Sequence, residues 1–489
     1  MSDLLKLSAL ELGRAIRMGE VSVPEAVEVA LSAAGADNAF ISVDGERAME
    51  RAHRLRMQAG AQNGPLFGVP MSLKDNICTP GMPTTCGSAM LRNFYAPYAA
   101  AAAQRLEQTG TVCIGKTNMD EFGMGSTGET SCFGPVRNPW NAERVAGGSS
   151  AGAAAAVARG AGWFALGSDT GGSVRLPAAW CNLTAIKPTY GTVSRYGLVA
   201  YASSFDQIGP LCRDAADCAA VLDCIQGKDH RDSTGLDGDY GQLLNGLSGD
   251  VRGMRIGLPV QCFGDGLDEE VRRATLQAAQ ILRARGAVVE ECRLPALEYA
   301  LSAYYVISCA QASSNLARYD GVRYGHRSQR GNGLEQLYKC SRSEGFGGEV
   351  KRRILLGTFV LSAGYYDAYY KKALLGQKQV QKAFKEAFLR YDLLLTPVSP
   401  GSAPKLGESL GDPAGMYRGD IYTVSANLAG LPALSMPCGF HEDGMPVGVQ
   451  LMGPAFGEGN ILNAAHAFQQ ETDFHKERPA GFGEGGGAG

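Results

Sequence analysis

The sequence predicts an α/β fold built on a largely buried mixed sheet. Short apolar runs recur along the whole chain, amphipathic helical runs separate several of them, and no internal repeat or long linker breaks the alternation. Serine stands three residues ahead of glutamate in Ser8-Ala9-Leu10-Glu11 and in Ser22-Val23-Pro24-Glu25, which predicts two capping boxes and a helical hairpin over residues 5–35. The strand candidates are Phe40–Val43, Val69–Leu73, Val112–Gly115, Trp163–Leu166, Arg255–Leu258, Asp392–Leu395, Leu434–Met436 and Val447–Leu451. Residues 226–252 are rich in Gly and Asp and predict a peripheral excursion. From Asp268 to Arg285 a helix gathers Val271, Ala274, Ala278, Ile281 and Leu282 on one side before Gly286 stops it. The glycine-rich end, 479–489, has almost nothing to bury and is expected to be disordered, leaving 1–478 as the folded part.

Composition narrows the class. A chain of 489 residues, 45% hydrophobic and 19% charged, can bury a large core, and its length alone suggests two or three domains. A net charge of -3 gives no whole-chain reason to bind nucleic acid, so contact with RNA is expected to be local or through a partner. No run of about 18 apolar residues and no signal-peptide core is present, so neither a membrane span nor export is expected. The 13 cysteines lack Cys-x-x-Cys pairs and read as reduced side chains in a cytoplasm. Cys212, Cys218 and Cys224 recur every six residues, a step of about 600° on a helix, so they are not expected to share a face or hold a metal.

The chemistry is concentrated in two glycine-rich serine runs. Ser149 lies in Gly147-Gly148-Ser149-Ser150-Ala151-Gly152, and Ser173 lies 24 residues on, in Gly167-Ser168-Asp169-Thr170-Gly171-Gly172-Ser173-Val174-Arg175. Glycine beside serine lets main-chain N–H groups approach a reacting carbonyl closely. A serine hydroxyl needs a neighbouring base. None of the six histidines (His53, His230, His326, His441, His466, His475) lies near these serine runs in sequence, whereas Lys74 ends the apolar run Val69-Pro70-Met71-Ser72-Leu73-Lys74. A lysine kept neutral by burial can serve as that base. Two other readings stand beside this one. Gly147–Gly152 could simply cap the alanine-rich helix that follows and that Gly160 would end. Gly148-Ser149-Ser150-Ala151-Gly152 also fits the Gly-x-Ser-x-Gly elbow of α/β-hydrolases, with Ser150 as nucleophile and His441 or His466 as partner, but that leaves Lys74 and the second serine run unexplained.

A lysine, then Gly-Gly-Ser-Ser, then Gly-Ser-Asp-x-Gly-Gly-Ser-x-Arg-x-Pro, closing here in Ser173-Val174-Arg175-Leu176-Pro177, resembles the amidase signature family. The resemblance implies one large domain with a central mixed sheet covered by helices. It further implies that Ser173 is the nucleophile, Ser149 a relay serine behind a cis peptide bond, and Lys74 the base. Main-chain N–H groups of Thr170, Gly171, Gly172 and Ser173 would form the oxyanion hole, with Ser150 and Asp169 as supports.

Within that family, Asn118-Met119-Asp120-Glu121-Phe122-Gly123, Tyr304-Tyr305, Glu349-Val350-Lys351-Arg352-Arg353-Ile354, the tyrosine-rich run 365–370 and Asp420-Ile421-Tyr422-Thr423 are similar to the glutamine-hydrolysing subunits of tRNA-dependent amidotransferases. This similarity, over residues 5–475, implies glutamine as substrate, with Arg353 for its carboxylate, Asp420 for its ammonium and Tyr304 lining the pocket. Taken alone, Lys351-Arg352-Arg353 would equally read as a solvated helix face. It also implies partner subunits B and C, where ATP and Mg²⁺ act on mischarged Glu-tRNA(Gln) or Asp-tRNA(Asn). No Gly-x-x-x-x-Gly-Lys-Ser/Thr loop occurs here, and no cofactor or metal is expected in this chain. A stand-alone amidase of small carboxamides is the alternative, and it would need no amino-acid clamp.

Overall fold

The computed structural model describes residues 3–60, 62–238 and 240–483. Among the described residues the strands are β1 (Phe40–Val43), β2 (Pro70–Lys74), β3 (Val112–Thr117), β4 (Arg137–Asn138), β5 (Asn141–Val145), β6 (Phe164–Asp169), β7 (Thr184–Lys187), β8 (Gln207–Cys212), β9 (Arg255–Pro259), β10 (Val288–Cys292), β11 (Leu393–Pro397), β12 (Ala433–Phe440) and β13 (Pro446–Met452). Eleven of them form one sheet in the order β1-β3-β2-β6-β8-β7-β12-β13-β11-β9-β10, while β4 and β5 pair as a separate hairpin. The sheet is mixed: β2 runs parallel to β3 and β6, whereas β8 is antiparallel to β6 and β7. One continuous sheet therefore replaces the two or three domains that length suggests.

Burial on both faces follows from strand alternation. Along β6, Phe164 and Leu166 join the larger core, whereas Ala165 points into the alanine core of the helix Ala151–Arg159. That helix starts at Ser150 and ends at Gly160, so the capping reading of the first glycine run holds beside the chemical one.

Each predicted strand forms, and three further sheet strands, β7, β8 and β10, escape the sequence. The run Gln207-Ile208-Gly209-Pro210-Leu211-Cys212 carries two residues that ordinarily argue against a central strand. Gly209 is there because a Cβ would stand 2.2 Å from the Ile186 carbonyl oxygen of β7. β10 is a sheet edge and carries Glu290 and Glu291 among its five residues, which blunts its apolar signal.

Other expectations change in detail. The full capping box forms at Ser8, whereas at Ser22 the hydroxyl accepts the Glu25 N–H and Pro24 sets the first turn. The predicted helix over 268–285 is Glu269–Ala284, capped by Asp268. Cys212 lies on β8, so the helical angle applies only to Cys218 and Cys224 in Ala215–Ile225. Part of the expected tail is packed: Phe482 lies against the Arg213 and Arg478 guanidinium groups, and the Gly483 N–H donates to Arg159 O at 2.9 Å. The rest of that expectation, 484–489, falls outside the described residues. Among the described residues, no helix is long and apolar enough to cross a membrane, and no cluster of His, Cys, Asp or Glu could hold a metal ion.

Candidate active site

Parallel strands β2 and β6 deliver Lys74 and Asp169 to the same end of the sheet, the carboxyl ends where α/β sheets place ligands. Lys74 is fully buried, its Nζ 2.7 Å from Ser149 Oγ and 3.1 Å from Ser168 O. Burial pushes its ammonium down from 10.5 to about 7, against the pull of Asp120, Asp169 and Asp206 further away. The two side chains expected to be base and relay are thus in contact.

Ser149 follows a cis peptide bond from Gly148. Its carbonyl accepts the Asp120 N–H at 3.2 Å, and Gly148 N–H donates to Ser126 O at 2.8 Å. Asp120 in turn binds Gly128 N and Thr130 N, so the stretch 118–130 fixes Ser149 from outside its own motif. Ser150 is buried; its N–H donates to Ser173 O at 3.0 Å and its hydroxyl to Ser168 O at 3.3 Å. None of the histidine hydrogen bonds or ion pairs among the described residues reaches it, so the elbow arrangement lacks its base.

The loop after β6 carries Thr170, Gly171, Gly172 and Ser173. The Thr170 hydroxyl donates to Asp206 at 2.7 Å. Gly171 is a close-approach position: a Cβ there would stand 2.4 Å from the Tyr304 hydroxyl, and its carbonyl accepts from Thr423 Oγ1. Gly172 departs from expectation. Its N–H donates to Asp169 Oδ1 at 2.9 Å, so it is turned into the protein and away from a substrate oxygen. The N–H groups of Thr170, Gly171 and Ser173 have no acceptor among the described residues.

Asp169 explains why the loop holds its shape. Its carboxylate takes Gly172 N, Val174 N, Asn427 Nδ2 and the Arg175 guanidinium, with Arg175 Nη2 at 3.0 Å and both side chains fully buried. Burial alone would raise its pKa, but Arg175 and the other donors hold it well below the usual carboxylate range. Arg175→Met should therefore strand a buried charge and lower stability by about 3–5 kcal/mol, read as a drop in unfolding midpoint at neutral pH. An unchanged midpoint would show that the pair contributes nothing.

Arg353 and Asp420 both act electrostatically on the buried Tyr304. Arg353 is buried, unlike its neighbours Lys351 and Arg352, which overturns the solvated-face reading at this one position. Its Nε donates to Glu349 and its Nη1 to the Tyr201 hydroxyl, each at 2.7 Å. Its Nη2 is buried with no partner among the described residues. Asp420 Oδ2 accepts from Tyr305 at 2.6 Å and Ser126 at 2.9 Å, and Oδ1 accepts nothing among the described residues. Burial pushes this carboxyl up to about 6, against those two hydrogen bonds and Arg353. A cavity of about 580 Å³ lined in part by Ser126, Thr127 and Gly419 adjoins it. The site thus has a basic amine against the Ser149 hydroxyl, a loop with bare N–H groups, and an incompletely paired cation and anion. Sequence reasoning left Ser126, Tyr201, Tyr305, Glu349, Tyr417 and Thr423 unassigned. Only Tyr305, Glu349 and Thr423 fall in segments it had singled out.

Fold and site together define an amide-hydrolysing enzyme. Residues 24–462 match the Amidase family model, and the chain belongs to that family. It is 55% identical over 480 residues to the A subunit of the glutamyl-tRNA(Gln) amidotransferase of Agathobacter rectalis, covering 97% of this chain and 95% of the relative. The crystal structure of the glutamyl-tRNA(Gln) amidotransferase A subunit from Thermotoga maritima superposes with a TM-score of 0.81 at 38% identity, covering 99% of this chain and 98% of that one. The peptide amidase of Stenotrophomonas maltophilia shares the fold at a TM-score of 0.79 and 28% identity, covering 97% and 98%.

Proposed function

We propose that this chain is the glutamine-hydrolysing component of a glutamyl-tRNA(Gln) amidotransferase. Neutral Lys74 draws the proton of Ser149 as Ser149 Oγ takes that of Ser173, and Ser173 Oγ attacks the side-chain carbonyl carbon of glutamine. The oxyanion receives N–H groups from Thr170, Gly171 and Ser173. Collapse expels ammonia, which takes the relayed proton, and water then cleaves the glutamyl ester to release glutamate. Partner subunits B and C use the ammonia, with ATP and Mg²⁺, on Glu-tRNA(Gln) or Asp-tRNA(Asn) in the cytoplasm.

The observation that carries glutamine over a simple carboxamide is the pairing of Arg353 and Asp420. Each is buried, and among the described residues Arg353 Nη2 and Asp420 Oδ1 have no hydrogen-bond partner. A carboxylate and an ammonium, as on an α-amino acid, would complete both. Arg353→Ala or Asp420→Ala should cost about 2–5 kcal/mol in kcat/KM for glutamine, while free ammonia still supports transamidation in the complex. Glutamine kinetics unchanged in both variants would remove these residues from the site and favour a stand-alone amidase.

A further inference from the structure

Glu349 stands one turn before Arg353 on the helix Gly348–Leu361 and is buried. Its Oε1 accepts both the Arg353 Nε–H and the Tyr417 hydroxyl at 2.7 Å, and its Oε2 takes Arg352. A guanidinium is a planar fork, so fixing Nε through Glu349 and Nη1 through Tyr201 sets the plane in which the two Nη2 hydrogens can donate. The rings of Tyr201, Tyr305 and Tyr417 pack around it, with centroids 5.7, 5.3 and 5.2 Å from the guanidinium carbon. A buried donor without a partner is uncommon in folded proteins, and it leaves Nη2 able to take a substrate oxygen.

Tyr417 ties a second element to the same carboxylate. It lies in the short helix Pro413–Arg418, just before Asp420. This segment is thinly supported: a cavity of about 580 Å³ is lined by Gly415, Met416 and Gly419, and another of about 260 Å³ by Pro413 and Met416. Among the described residues, the Tyr417 bond to Glu349 is the one side-chain hydrogen bond that leaves Pro413–Arg418 for another part of the chain. External side-chain hydrogen bonds are few there, so Tyr417, whose ring also packs on Tyr305 with centroids 4.2 Å apart, carries the tie.

We infer that Glu349 is a positioning residue that sets amino-acid specificity, aiming Arg353 Nη2 and latching the segment that carries Asp420, so that both ends of the substrate clamp depend on one side chain. This rests on the glutamine reading. Glu349 touches no reacting atom, so its loss should weaken recognition of the amino-acid end and spare amide cleavage.

The test measures the complex co-purified with its partner subunits on glutamine and on butanamide, the same amide without the α-carboxylate and the ammonium. Glu349→Gln should raise KM for glutamine roughly 10- to 100-fold with kcat changed less than about threefold, and should change little on butanamide, which offers the clamp neither charge. Tyr417→Phe should shift the ratio of kcat/KM values for the two amides in the same direction, by about three- to tenfold. If the unaltered enzyme does not prefer glutamine, the glutamine reading itself fails. If it does, and both variants keep its preference, the role of Glu349 is overturned. Should Glu349→Gln not fold, Tyr417→Phe decides by the same ratio.

Discussion

Ser173→Ala is expected to abolish glutamine hydrolysis, lowering turnover by about 10⁴-fold or more, because nucleophile and relay act as a unit. It should also prevent the mass adduct that an acylating glutamine analogue leaves on the unaltered chain. The fold should survive, since Ser173 contributes its main-chain oxygen to Ser150 N–H and that bond is kept by alanine. Ser150 is the serine that could rescue the reaction if the elbow reading were right. Its hydroxyl is buried against Ser168 O, and its place is the start of the helix Ala151–Arg159. An adduct that persists in Ser173→Ala and maps to Ser150 would sink the lysine relay.

What could be read from the sequence is what depends on neighbours along the chain. Lys74 declares itself by ending an apolar strand, and the loop from Asp169 to Ser173 by its glycines, which exist so that Tyr304 and Thr423 can approach within contact of the backbone. The direction of each N–H in that loop was not legible. Gly172 looks like an oxyanion donor by position, but Asp169, three residues earlier, captures its proton. Arg353 shows the same limit at longer range. Locally it belongs to a run of three cations on a helix, and its burial comes from tyrosines at 201, 305 and 417, brought in by separate segments. Strand β8 was hidden for a comparable reason, since Gly209 answers to the Ile186 carbonyl on the next strand, a demand that the local pattern does not record.

Lys74→Met should lower glutamine turnover by about 10²–10⁴-fold, the usual range for removing a general base, while raising thermal stability. Methionine fills similar volume without a polar head. The stability gain follows from linkage. Burial lowers the lysine pKa from 10.5 to about 7, so the unfolded chain binds the extra proton across that interval and stability falls as pH drops through it. At about 1.4 kcal/mol per pH unit, the cost relative to an exposed lysine reaches about 5 kcal/mol below pH 7. The same shift shapes the unaltered enzyme's activity. Only the neutral amine can take a proton, so kcat/KM should fall about tenfold per unit below pH 7. Asp420 must be ionised to hold the substrate ammonium, and burial raises it to about 6, so below that pH the limb should steepen to about a hundredfold per unit. Once glutamine is bound, its ammonium holds Asp420 ionised, and kcat should keep the single limb of Lys74. Asp420→Asn should remove the second limb of kcat/KM, and Lys74→Met the first. A rate that stays flat between pH 5 and 8, or a Lys74→Met variant with near-normal turnover, would move the base to another residue.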